Sequence, residues 1–224
     1  MSDYPESAAR FARDAAGHEM TVLHDDGLYR HLKFMTPGHG SIGAFQLITW
    51  PYNLVVKTGW TFHFDIDATE DMFDLFRRTA LTGQINPGYW SEKVRAGRDE
   101  VEGYSDELLK KEIEDSVQQW VRESKGSPSE RRSFERQLRA AVHGHFFDDS
   151  ADYNVEYESE AYRALHDFSF APAGALPGDM PWHFADFYEW RMKDYTPGYL
   201  HSCFAIRHGI DLWDAASKTA EVTA

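Results

Sequence analysis

From Trp60 to Arg78 the apolar positions change rhythm. Trp60, Phe62, Phe64 and Ile66 alternate with Thr61, His63, Asp65 and Asp67, the spacing of a strand with one side in an apolar interior. From Met72 onward the apolar residues are Met72, Phe73, Leu75 and Phe76, which is helical spacing. Asp67 followed by Glu70 resembles a capping box and predicts a helix from about residue 70. Upstream, "MTVLH" (20–24), "LYRHLKFM" (28–35), "AFQLITW" (44–50) and "NLVVK" (53–57) read as four further strands. The first two are joined by "DDG" (25–27), whose glycine tolerates the positive φ of a hairpin turn. Five strands with short connections make an antiparallel meander. Its apolar face needs a cover, and the helix from residue 70 is the nearest candidate.

The rest of the chain follows helical periods. Residues 5–16 form a short helix ahead of Gly17, while 83–104 is Gly-rich and irregular around "INPGYW". Leu109, Ile113, Val117, Trp120 and Val121 share one stripe of a helix over 105–123. "SPSE" (127–130) opens the next, with Ser127 as cap, Pro128 in the first turn and Glu130 closing the box. So short a link predicts an antiparallel pair. A further helix ends near Phe168, a Pro/Gly loop covers 171–181, and the last helix starts at Pro197 with Thr196 as its cap. In it Tyr199, Cys203, Ile206, Ile210 and Trp213 form a seam for packing on another helix. The expected fold class is α+β: an antiparallel sheet of about five strands plus its covering helix over 1–97, and a helical region over 98–224 packed on it as one globular domain.

Composition narrows the partners. Apolar residues make up 42% of the 224-residue chain and aromatic residues 15%, enough for a sizeable core. A net charge of -14 disfavours direct contact with nucleic acid or an anionic membrane and leaves two partner classes open, basic protein surfaces and metal ions. No apolar run nears the roughly 18 residues of a membrane span, and no signal peptide is read at the N-terminus. With Cys203 as its single cysteine, the chain fits a reducing cytoplasm. No phosphate-binding glycine loop, nucleophile elbow or paired CxxC occurs, so no cofactor is predicted.

Four groups of residues carry candidate chemistry. His63 and Asp65 share the polar face of the best strand, and His31 lies on the matching face of a neighbour, so the three can form a His–carboxylate catalytic site. The acidic segment offers Asp148, Asp149, Asp152, Glu156 and Glu158 interleaved with Tyr153 and Tyr157, a spacing of negative charge that imitates a phosphate backbone toward a basic groove. Tyr89 and Trp90, in the irregular loop, are expected to add exposed contacts. His143, His145, Asp148 and Asp149 fall short of the HxHxDH zinc signature, and His201 and His208 stand about 10 Å apart on one helix. No metal site is predicted from either set.

The phrases "HEMTVLHDDGLYRHLKF", "FQLITWPYNLVV", "DMFDLFR", "INPGYWSEKV" and "YLHSCFAIRHGIDLWDAA" together resemble a family of uncharacterised proteins from tailed-phage and prophage genomes. The likeness covers about 18–96 and 180–216 and departs at "TPGYLHS", where an aromatic-rich run is expected. It implies a phage accessory protein in the cytoplasm of a bacterial host and carries no activity. The combined expectation is a non-enzymatic binder of a host protein with a basic surface, a defence antagonist or an acidic mimic of nucleic acid. The alternatives are a small hydrolase or nucleotide-processing enzyme at His31, His63 and Asp65, and a virion component. The seam of the last helix also allows a homodimer.

Overall fold

The computed structural model describes residues 4–81, 84–124, 127–173 and 180–223. Parts of two expected loops, 125–126 and 174–179, lie outside them. The fold is α+β. Six antiparallel strands follow one another in chain order: β1 (Glu19–Asp26), β2 (Tyr29–Met35), β3 (Phe45–Trp50), β4 (Asn53–Lys57), β5 (Thr61–Asp65) and β6 (Val94–Ala96). The helices are α1 (Pro5–Ala15), α2 (Met72–Thr79), α3 (Pro87–Ser91), α4 (Asp106–Glu123), α5 (Pro128–Phe146), α6 (Glu158–Asp167) and α7 (Pro197–Thr223). Two compact units result: a sheet unit of residues 1–102 with 195–224, and a helical unit of 103–194. Each has its own apolar core.

In the sheet unit the pleat does the sorting. Leu32, Phe34, Phe45, Leu47, Leu54, Val56, Phe62 and Phe64 are buried on one face, while their neighbours in sequence are half-covered on the other. Gly27 supplies the positive φ of the β1–β2 turn, as "DDG" predicts. The sixth strand, β6, is an addition to the expected five.

The cover differs from expectation in two respects. First, α2 begins at Met72, not near 70, and its cap is Asp71, whose carboxylate accepts from the Phe73 N–H at 2.9 Å. That carboxylate also receives a fork from Arg30 at 2.9 and 3.0 Å, and the guanidinium lies 4.9 Å from the Phe73 ring and 5.5 Å from Trp213. A tertiary partner therefore chooses which acid caps the helix. Second, α7 shares the covering with α2. The seam residues Tyr199, Cys203, Ile206 and Ile210 are buried in the same core as the strands, so the seam meets the sheet as well as neighbouring helices. A Cβ on Gly209 would stand 2.6 Å from Leu47 Cδ1, which shows how close α7 comes to β3. The Tyr199 hydroxyl donates to the Pro87 carbonyl at 2.9 Å and ties α7 to α3.

The helical unit confirms the paired helices. Trp120 packs on Phe134 at 4.6 Å, and Arg139 forks onto Glu114 at 2.6 and 3.0 Å, contacts that run in opposite chain directions along α4 and α5. Ser127 and Glu130 close the predicted capping box at 2.7 and 3.4 Å. Phe168, Phe170, Phe184 and Phe187 complete this core.

Candidate functional site

The sheet's outer face separates the candidate catalytic residues. His31, Ile48, Val55 and His63 occupy one cross-strand row. Three inter-strand steps put the two histidines about 14 Å apart. His63 Nε2 bonds Asn53 Oδ1 at 2.6 Å, with its ring stacked on Trp50 at 5.5 Å. His31 Nε2 bonds Gln46 Oε1 at 2.7 Å, and Asp65 faces Arg95 at 3.7 Å. Each polar group has a local partner, and no imidazole meets a carboxylate. On this face His63, His31 and Asp65 are each hydrogen-bonded or ion-paired to a different neighbour.

Trp90, expected on a contact surface, is fully buried. Its indole N–H donates to Thr79 Oγ1 at 2.8 Å, and its ring meets the edge of Phe76 at 4.8 Å. The cause is local: Asn86 caps α3 by accepting from the Tyr89 N–H, and the short helix turns Trp90 into the core. Tyr89 stays half-buried, with Lys93 Nζ 4.4 Å from its ring centroid.

The acidic segment is exposed, but its backbone is held in place. Val155 plugs the helical core at 7% exposure, and its carbonyl accepts from the Tyr104 hydroxyl at 2.6 Å. Burial, with Asp106 and Glu158 nearby, pushes the Tyr104 phenol up to about 12, so it stays a donor across the physiological range. Tyr153 donates to Asp167 Oδ2 at 2.5 Å. Asp148 accepts from the Ser150 backbone and hydroxyl, which hold its carboxyl below the usual carboxylate range, and Asn154 Oδ1 accepts from the Glu156 N–H at 3.0 Å. Two side-chain turns and two tyrosine anchors thus fix the backbone that presents the acids.

Beside this segment lies a hollow of about 480 Å³ lined by Asp106, Lys110, Phe146, Phe147, Asp148, Asp149, Ala151, Tyr153, Asn154, Val155 and Glu156. Its one lysine is occupied by Asp106 at 2.7 Å. Asp148, Asp149 and Glu156 are exposed at its wall. Of the other predicted binding residues, Asp152 is exposed, Tyr157 is 63% exposed, and Glu158 lies in the first turn of α6 with Lys193 at 3.8 Å. The α4 wall of the hollow, Asp106 and Lys110, is absent from the sequence-based set. It comes from 40 residues upstream, and only the acidic first turn of α4 hints at it.

Among the described residues no group of three or more His, Cys, Asp or Glu side chains is arranged to hold a metal ion. His145 bonds the Ala164 carbonyl at 2.9 Å and packs on Tyr153 and Phe168, while His143 is exposed. Cys203 is fully buried, and burial pushes its thiol well above the ordinary range, the reverse of an activated nucleophile. Among the described residues no helix is long and apolar enough to cross a membrane. Comparison of the chain with protein-family models, curated proteins and solved structures finds no match in any of the three.

Proposed function

We propose that this protein is a phage-encoded, non-enzymatic binding protein that engages a basic surface of a host protein through the acidic hollow of its helical unit. The observation that carries the proposal is the fixed backbone of 148–160, which holds Asp148, Asp149 and Glu156 beside the aromatic walls of Phe147 and Tyr153. Preorganised carboxylates lose little conformational freedom when a lysine or arginine arrives, and an aromatic wall favours the same cation. In this arrangement the acids occupy the place of phosphates toward a groove made for nucleic acid, and binding blunts whatever the groove does. The phage origin rests on the resemblance of the "HDDGLYRHL" and "INPGYW" phrases. The hydrolase alternative has less in its favour, since His63 bonds Asn53 while Asp65 faces Arg95.

Affinity capture from a bacterial host lysate tests the proposal, comparing the protein with an Asp149→Lys/Glu156→Lys variant. Both positions are exposed, and neither carboxylate is the acceptor in the turns at Ser150 and Glu156, so the backbone of the segment keeps its hydrogen bonds. A basic partner should be retained at about 0.05 M salt and released at about 0.5 M, where screening shortens to a few ångströms. The variant should retain none. Capture that survives the reversal, or no capture at low salt, removes the proposal.

A further inference from the structure

We propose that α1 is an acid-released latch, held on the sheet unit by a cluster of three uncharged histidines, His18, His201 and His208. Phe11, 6% exposed, is the latch's tongue. Its ring takes the edges of His201 at 5.1 Å and His208 at 5.7 Å, stacks against Phe204 at 6.0 Å and leans on Phe45 at 6.5 Å. His18, just beyond the end of α1, lies 5.6 Å from the His208 ring and 5.5 Å from Phe45. The cluster thus joins α1 and the residue that follows it to α7 and β3.

This seam is built for neutral rings. Both ring nitrogens of His18 and Nε2 of His208 are buried without a hydrogen-bond partner of good geometry, and the Gly43 backbone beside His18 gives its protonated form only partial support. A proton on His208 adds a donor with no acceptor, a proton on either ring adds a charge with little solvent, and two charged rings would sit under 6 Å apart.

The surrounding charges do not compensate. From α1, Asp14 favours protonation of His18 and His201, and Arg10 opposes it at His201. Glu6 lines the same cleft but is exposed. On α7, Asp211 favours a charged His208 but is already forked by Arg207 at 2.6 and 3.1 Å. β3 contributes only Phe45, and Glu19 at the start of β1 is exposed. One carboxylate therefore serves two rings. Desolvation is the leading influence on all three histidines and lowers each below its ordinary value of 6.5.

The sign follows from linkage. When α1 lifts, the rings regain water and their ordinary affinity for protons, so release takes up protons. The docked state is fully favoured above pH 6.5 and loses its advantage as pH falls below that value toward the depressed folded values. Release uncovers Phe45 and Phe204, an apolar strip closed at neutral pH.

Hydrogen exchange of the whole chain tests the latch. Protection factors for α1, relative to β3–β5, should fall by up to about tenfold per pH unit for each ring that gains a proton, measured between about pH 7.5 and about pH 5.5. A His18→Phe/His208→Phe variant keeps aromatic packing and should reduce the dependence to the single step left by His201. Replacing the exposed His39 by Ala should leave the full dependence. Constant protection of α1, loss of protection in step with β3–β5, or full dependence in the double variant would overturn the latch. Should that variant fail to fold, ring titration by NMR in the unaltered protein decides: His18 or His208 titrating at or above 6.5 refutes the proposal.

Discussion

In the sheet unit, Phe62 and Phe64 are placed by the pleat of a single strand whose backbone is hydrogen-bonded on both sides. In the helical unit, Phe168, Phe170, Trp182 and Phe184 come from segments with almost no regular structure and are placed by one another. Trp182 meets Phe184 at 4.7 Å and Trp120 at 5.1 Å, Phe168 meets Phe184 at 5.1 Å, and one isolated bridge pairs Phe170 with Trp182. Both cores exclude water equally well: Phe64 is 0% exposed and Phe184 4%. They differ in what surrounds a ring. A ladder cannot close around a void without breaking hydrogen bonds, whereas an irregular segment can settle.

The same substitution in both cores makes that difference measurable. Phe64→Ala removes a ring that meets Phe76 edge-on at 5.2 Å, inside walls fixed by two neighbouring strands. It should cost about 4–5 kcal/mol, the upper part of the range for buried aromatics. Phe184→Ala should cost about 3 kcal/mol, because its surroundings relax into the gap. Denaturant titration with exchange readouts on each unit gives both values. A Phe184→Ala cost equal to or above that of Phe64→Ala would break the comparison.

This contrast also explains what the sequence discloses. Period-two alternation marks β2–β5 because the sheet unit buries only one face, and the spacing of Leu109, Ile113 and Val117 marks α4 for the same reason. β6 escapes notice since three residues ending before Gly97 hold no period. The seam of α7 is visible as 4, 3, 4, 3 spacing, but spacing says that a face is covered and not by what. Asp71 is hidden behind the more regular Asp67/Glu70 pattern, because Arg30, 41 residues away, settles the choice. The acidic hollow is half legible: its carboxylates are plain in the sequence, whereas the anchors Tyr104 and Asp167 are joined to them only by folding. His18 is missed for a similar reason. A lone histidine after a helix has no pattern until α7 brings His208 beside it.

Arg30 sharpens the comparison from the polar side, since its ion pair with Asp71 ties the start of the covering helix α2 to β2, while Arg77 and Asp214 tie α2 to α7. The Arg30 and Asp71 side chains are 11% and 22% exposed. Arg30→Met keeps the stem against Phe73 but strands the carboxylate, and should cost about 2–3 kcal/mol, below the range for a fully buried pair. Burial alone would raise the Asp71 carboxyl; the Arg30 bonds, the Phe73 N–H and the Arg30 and Arg77 charges outweigh it and hold the group below its ordinary 3.8. A carboxyl lowered by folding contributes stability above its unfolded value and loses it as pH falls through the folded one. Stability should therefore drop below about pH 4 in the native protein and drop less in Arg30→Met. An unchanged acid profile in the variant would show that the pair does not couple α2 to the sheet.

The smallest effect tests whether the helical unit depends on local signals where the sheet unit depends on long-range ones. The Ser127–Glu130 box is exposed and wholly local: Ser127 Oγ accepts from the Glu130 N–H, and Glu130 Oε2 accepts from the Ser127 N–H. The Ser127 hydroxyl and backbone N–H beside it hold the Glu130 carboxyl below its ordinary value. Ser127→Ala removes one orphan donor's partner at the start of α5 and should cost about 1 kcal/mol. Because the bonds of the box among the described residues are all local, the loss should appear as faster exchange in the first turn of α5, with the sheet unit unaffected. Ser127→Asp restores an acceptor and should recover most of the stability. If the alanine variant is as stable as the parent while Trp120 and Phe134 stay packed, α5 is positioned by its aromatic contacts alone, and the helical unit is less local in its determinants than its sequence implies.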